Sequence, residues 1–224
     1  MSTAGIALSR RALVSGAVVM LVVGFATKTL FFRDIASTKP AGQASSVVTE
    51  APRLDASDVP VGFARTQAGA RDAAIAYVQM GDLVLSLDPS AAANVLRRVA
   101  SRESSVQFVQ TELAGFTQLR NALGRGSGPI RLRVGVIATS VDAFSQDRAE
   151  VRLWRVAILS RDGMTNPGEQ WATVTYDLVW EQGNWKIWSE TDVPGPDPAA
   201  SSSQLATPSE LEAALAGFEP VGTP

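Results

Sequence analysis

The apolar residues of this chain keep a helical spacing as far as Leu123 and change to strict alternation at Ile130. Few architectures accommodate that single change of period. Ala70, Ala73, Ala74, Tyr77, Gly81 and Val84 recur at helical intervals behind Thr66, which suits an N-cap. Asp88-Pro89 is a second start signal, a side-chain acceptor followed by proline at the first helical position, and Ala92, Val95, Leu96 and Val99 form its stripe. A third helix is expected after Ser104 or Ser105, with Val106, Val109, Leu113, Phe116, Leu119 and Leu123 as its apolar face and Gly124 placed to end it.

Beyond the loop Gly124–Pro129 the pattern is that of strands. Ile130, Leu132, Val134 and Val136 alternate with Arg131, Arg133 and Gly135. Val151 to Leu159 is a second strand, rich in β-branched and aromatic residues. In Trp171 to Glu181, Ala172, Val174, Tyr176, Leu178 and Trp180 face one way and Thr173, Thr175, Asp177 and Glu181 the other. Gln182-Gly183-Asn184 is a short turn into a fourth strand beginning Trp185-Lys186-Ile187-Trp188, so the last pair is a β-hairpin. Helices first and consecutive antiparallel strands afterwards predict an α+β domain, three helices packed on one face of a four-stranded antiparallel sheet.

Ahead of that domain lies an uncharged run, Ala12 to Ala26, continued past Lys28 to Phe31 and Phe32. A helix from Ala12 to Phe32 would reach about 30 Å, the thickness of a bilayer core. The first reading is a retained single-pass anchor. A cleaved signal peptide is the second, since Arg10-Arg11 resembles an n-region or a twin-arginine signal, although no A-x-A site follows. A buried helix of a soluble protein is the third, against which stands the lack of any polar face. Arg10 and Arg11 before the run nearly balance Lys28, Arg33 and Lys39 after it, so orientation is set with the N-terminus inside because its arginines abut the apolar run. The expected organisation is a cytoplasmic head at 1–11, a transmembrane helix at 12–32, a linker at 33–61, the α+β domain at 62–193, and a Pro- and Ser-rich tail with a short helix at 194–224.

Composition excludes more chemistry than it suggests. The chain has 224 residues, 46% of them hydrophobic and 19% charged, enough for a packed core, and a net charge of −2 predicts no general attraction to nucleic acid. It has no cysteine and no histidine, so disulfides, thiol nucleophiles, Cys- or His-ligated zinc and histidine triads are all excluded. No cofactor and no metal site is expected. Asp142, Asp147, Glu150 and Asp162 lie in or near loops, where charge is ordinary. The glycine-rich loop around Arg125 precedes a strand and lacks the Gly-Lys-Ser/Thr ending of a phosphate loop. Asp177 beside Tyr176 is the best remaining acid–base pair, but alternation puts the two on opposite faces. Arg131 and Arg133 share a strand face, either solvated or docking an acidic partner, and Trp171 and Trp188 are the tryptophans expected at an interface. Trp180 is read as core.

The order of anchor, linker, helices and sheet resembles a nuclear-transport-factor-2-like, cystatin-like cone. The segments Val151 to Val156, Trp171 to Trp180, Gly183 to Lys186, Asp192 to Pro196 and Ala213 to Phe218 resemble a family of actinobacterial membrane-anchored proteins. Those proteins are similar to the bitopic assembly subunit of type IV secretion systems and to conjugation proteins of Gram-positive elements. The resemblance implies no catalytic motif. It implies a non-enzymatic membrane scaffold in a conjugative or type IV secretion apparatus, single-pass in the cell membrane with the domain extracytoplasmic, homo-oligomeric and in contact with other membrane-complex subunits. An accessory ligand- or lipid-binding module of an Mce-type envelope transporter is the alternative. An isomerase or cyclase is a third reading, which a pocket holding a buried carboxylate of raised pKa would favour.

Overall fold

A computed structural model describes residues 51–123, 128–162, 168–198 and 208–221. Four helices precede the sheet: α1 (Gln67–Val78), α2 (Gly81–Ser86), α3 (Pro89–Val99) and α4 (Ser105–Ala122). Their starts follow local chemistry. Thr66 Oγ1 accepts the Gly69 N–H at 3.1 Å to cap α1, and Asp88 Oδ1 accepts the N–H groups of Ser90 and Ala91 at 2.8 and 3.0 Å to cap α3, with Pro89 in the first turn. The helical period from Ala70 to Val84, read as one helix, is broken at Met80, whose N–H turns back to the Tyr77 carbonyl. Ala70, Ala73 and Ala74 of α1 are wholly buried, and that small-residue face brings its backbone close to the sheet.

The strands are β1 (Arg53–Leu54), β2 (Pro60–Val61), β3 (Ile130–Phe144), β4 (Arg148–Arg161), β5 (Gly168–Glu181), β6 (Asn184–Pro194) and, after helix α5 (Pro208–Ala214), β7 (Glu219–Pro220). β1 and β2 pair with each other; the main sheet is antiparallel in the order β6-β5-β4-β3-β7. Its helix-facing side carries Val151, Leu153, Val174, Tyr176, Leu178, Trp185 and Ile187, all buried against α1, α3 and α4. At roughly 25 cal/mol per Å² of apolar surface, this face supplies the main drive to fold. Tyr77 crosses the core to donate from its phenol to the Trp185 carbonyl at 2.5 Å, and Trp185 Nε1 donates to the Ala64 carbonyl at 2.8 Å.

Both sheet edges are managed. On the β6 side, the turn between α3 and α4 supplies Ser101, whose N–H donates to the Ile187 carbonyl at 2.8 Å. On the β3 side, Asp82 of α2 accepts the Leu132 N–H at 2.9 Å, and β7 pairs with Ala138 and Thr139. An uncovered row of backbone donors and acceptors there would template pairing with another chain.

The α+β class holds: several helices pack against an antiparallel sheet. The count of three helices on four strands is corrected, because α2 separates from α1 and the C-terminal segment adds a fifth strand. Residues 53–61, read as the end of a linker, form β1 and β2, and Val59 is 1% exposed in the core. Most of the glycine-rich loop, including Arg125, lies outside the described residues. So does the anchor expected at 12–32. Among the described residues no helix is long and apolar enough to cross a membrane. The single-pass cell-membrane placement with an extracytoplasmic domain is accordingly corrected: the described structure supplies no spanning helix to carry it.

Candidate functional site

The most unusual chemistry in the domain is a group of ionisable side chains on the helix-facing side of the sheet. Alternation brings Arg155 of β4 inward two places beyond Leu153, and Tyr176 of β5 inward between Val174 and Leu178. On β6 the rule is interrupted. Ile187 pairs with Leu178 and Ser189 with Asp177, so Trp188 is an extra, bulged residue. The bulge reverses the facing of everything after it. Glu190, opposite Tyr176, and Asp192, opposite Val174, therefore point inward where strict alternation from Trp185 would turn them out. Glu112, from the middle of α4, completes the group by its charge interactions with Glu190, Asp192 and Arg155.

Arg155 forms an ion pair with Asp192 across β5, the two side chains 11% and 13% exposed. Tyr176, 3% exposed, is hydrogen-bonded to the Glu190 carboxylate. Arg155 Nε is buried and makes no hydrogen bond among the described residues, so the guanidinium holds Asp192 through its outer arm. Fully ionised, the group would hold three negative charges against one positive in a poorly solvated place, which is costly. The carboxyls respond by keeping protons. Burial, then the Asp192 charge, pushes Glu112 up to about 7, against the opposing pull of Arg155. Burial, then Glu112 and Asp192, raises Glu190 well above the usual carboxylate range. Burial raises Asp192 as well, although Arg155 works against it. Burial, then the nearby carboxylates, lifts the Tyr176 phenol far out of the physiological range.

Raised carboxyls are also what an acid–base enzyme uses, but these are engaged with one another: Asp192 with Arg155, and Glu190 with Tyr176. Among the described residues no group of His, Cys, Asp or Glu could hold a metal ion. Among the described residues no catalytic set of side chains is assembled.

The residues expected at a site are dispersed. Arg133 is ion-paired with Asp82, and Arg131 Nη1 lies 3.9 Å from the same carboxylate, so both fasten β3 to α2 while staying 69% and 54% exposed. Trp171 is on the helix-free face, its ring 5.0 Å from that of Trp154, with Nε1 donating to Glu169 at 2.5 Å. Trp188 is the bulged residue of β6, under the Arg148 guanidinium at 6.0 Å. Tyr176 and Asp177 do lie on opposite faces; Asp177 accepts from Ser189. Asp142 is paired with Arg152, and Asp147 with Arg65. The sequence reading missed Glu112, Arg155, Glu190 and Asp192. The only signal for the last two was the pairing register, which the bulge conceals.

The chain is similar to the crystal structure of the intermembrane space region of the chloroplast protein ARC6, with 19% identity, a TM-score of 0.35, and coverage of 56% of this chain and 97% of that one. No curated protein matches. The resemblance to actinobacterial type IV secretion and conjugation proteins is corrected: the family model that matches carries no secretion or conjugation description. The family model described as a domain of unknown function, DUF8175, matches residues 46–208, most of the chain, and the protein belongs to that family.

Proposed function

We propose that the protein is a non-enzymatic assembly domain, read as a cystatin-like cone with a filled interior, that associates with a second copy through the helix-free face of its sheet. The observation that carries this reading is an apolar patch on that face. Ile158 of β4 is 44% exposed and Val193 of β6 is 54% exposed, and between them lie Val156 and the Trp154–Trp171 pair. The register sets Val156 opposite Trp171 and Thr173 opposite Val193; Trp154 beneath them is buried, its Nε1 donating to the Pro196 carbonyl at 3.0 Å, so Ile158, Val156, Trp171 and Val193 carry the accessible apolar surface. Contiguous exposed apolar surface of this kind marks association sites, and a sheet face offers it with little ordering cost.

The alternative, a module that binds a small molecule or lipid inside the curve of the sheet, is disfavoured. The rows that would line such a space are filled by Leu153, Val174, Trp185 and Ile187, all at most 2% exposed. The test is light scattering on a sizing column. Wild-type protein should run as a dimer or larger, and Ile158→Glu with Val193→Glu should run as a folded monomer with an unchanged circular dichroism spectrum. A wild type that is monomeric at every concentration reached sinks the proposal.

A further inference from the structure

The edge of β3 is covered by the chain's own C-terminal segment, and it is covered lightly. The ladder consists of Ala138 opposite Pro220 and Thr139 opposite Glu219, with the Val221 N–H donating to the Ile137 carbonyl at 3.0 Å. Pro220 has no N–H to give. α5, which leads into the strand, has no buried residue. Phe218 attaches the segment, half-buried beneath the Arg152 guanidinium at 4.8 Å, after a turn at Gly217 with φ of +84°. Upstream on β3, Asp82 already occupies the Leu132 N–H, so the accessible part of the edge begins beyond it, near Ile137. The family model matches residues 46–208, so the segment after Pro208 lies outside the matched range.

We propose that the Ile137–Thr139 edge is a strand-docking site whose occupant in the assembled protein is the Phe218–Val221 segment of a second copy. A strand added to a sheet edge binds through main-chain hydrogen bonds, and a side chain in a neighbouring pocket sets its register. Here the Phe218 ring under Arg152 is that anchor. Exchange of an identical segment replaces the same contacts by the same contacts, so its cost is small and its balance is set by concentration. The inference goes beyond the association through the helix-free face, which brings two copies together but does not require their tails to cross.

The absence of native cysteine makes the test clean. Thr139→Cys and Glu219→Cys are made in separate molecules, so no disulfide can form within one chain. Mixed and oxidised, they should give a 139–219 inter-chain disulfide in several-fold excess over either variant alone, and a synthetic peptide of residues 208–224 should suppress it. Ala138→Cys serves if Thr139→Cys does not fold. A mixture that cross-links no more than its components overturns the exchange. Repeating the mixture with Ile158→Glu and Val193→Glu separates the two readings. Cross-linking that persists in a variant that cannot pair through the sheet face supports the edge by itself. Its loss there, with cross-linking intact in the wild-type background, shows that the exchange depends on face pairing.

Discussion

Arg155 and Asp192 form an ion pair over the top of β5, joining strands that are not neighbours in the sheet. Glu190 and Glu112 crowd that pair with further negative charge, and one guanidinium cannot balance three carboxylates. The group therefore remains folded by retaining protons that the unfolded chain would release.

The sign of the pH dependence follows. Glu112 has an ordinary value of 4.5 and is raised to about 7 in the folded protein, and Glu190 is raised further. Above 4.5 the unfolded chain gives up these protons and the folded chain keeps them, so stability is greatest below 4.5 and declines as pH rises through about 7 and beyond. Denaturant midpoints measured from about pH 5 to pH 9 should fall steadily. Glu190→Gln, which keeps the hydrogen-bonding shape without the titration, should flatten the slope and stabilise the protein at the alkaline end. A variant with the wild-type slope would show that Glu190 is not held protonated.

Arg155→Met tests the other side of the same group. Removing one partner of a buried pair leaves the other uncompensated, at a cost of about 3–5 kcal/mol. Asp192 can escape that cost by taking a proton, so the loss should be large near pH 8 and much smaller near pH 5. Chemical denaturation at the two pH values reads the difference directly. An equal loss at both would assign Arg155 a packing role alone.

Tyr77→Phe should destabilise by about 1–3 kcal/mol. It deletes a buried phenol and leaves the Trp185 carbonyl without that donor. The edge-to-face contact of the ring with Phe63, centroids 5.9 Å apart, survives the change, so the loss measures the hydrogen bond and not the packing.

Asp82 seals the upstream part of the β3 edge. Burial alone would raise its carboxyl, but the Leu132 N–H and then Arg133 hold it below the ordinary 3.8. Asp82→Asn keeps an acceptor for Leu132 and gives up ion pairs that are largely solvent-exposed on the arginine side, a change of at most about 1 kcal/mol. Asp82→Ala leaves the N–H unsatisfied and should cost about 1–3 kcal/mol, and the freed edge should aggregate sooner on heating. Light-scattering onset temperatures for the two variants separate the acceptor from the charge.

The helix starts were legible in the sequence because capping is local: Thr66 and Asp88 act on N–H groups two or three residues away. The inward row of β5 was legible because its alternation runs unbroken through Ala172, Val174, Tyr176 and Leu178. Glu190 and Asp192 were not, because one bulged residue, Trp188, inverts the parity of β6. Glu112 was not, because a single acid beside the apolar face of α4 looks like a solvated one; that face is itself rotated from the expected one, with Val106 70% exposed and Phe108 packed on the core. The edge role of Asp82 depends on where α2 meets β3, a contact that no local pattern encodes.

The hairpin between β5 and β6 makes a last prediction in the stabilising direction. Gln182 has φ of +54° and Gly183 of +75°, the two positive angles of a type I′ turn. Glycine adopts that conformation freely, whereas glutamine is held there against its side chain at a cost of about 1 kcal/mol. Asparagine tolerates the left-handed region better, because its short side chain bonds to the local backbone. Gln182→Asn creates the Asn-Gly pair preferred in such turns and should raise stability by about 0.5–1 kcal/mol. The register of Glu181 with Asn184 and of Trp180 with Trp185 should be unchanged, so the buried Trp185 and the inverted facing of Glu190 are preserved. Equilibrium denaturation gives the size of the gain. An unchanged or lower midpoint would mean that Gln182 is not strained and that this turn does not limit the hairpin.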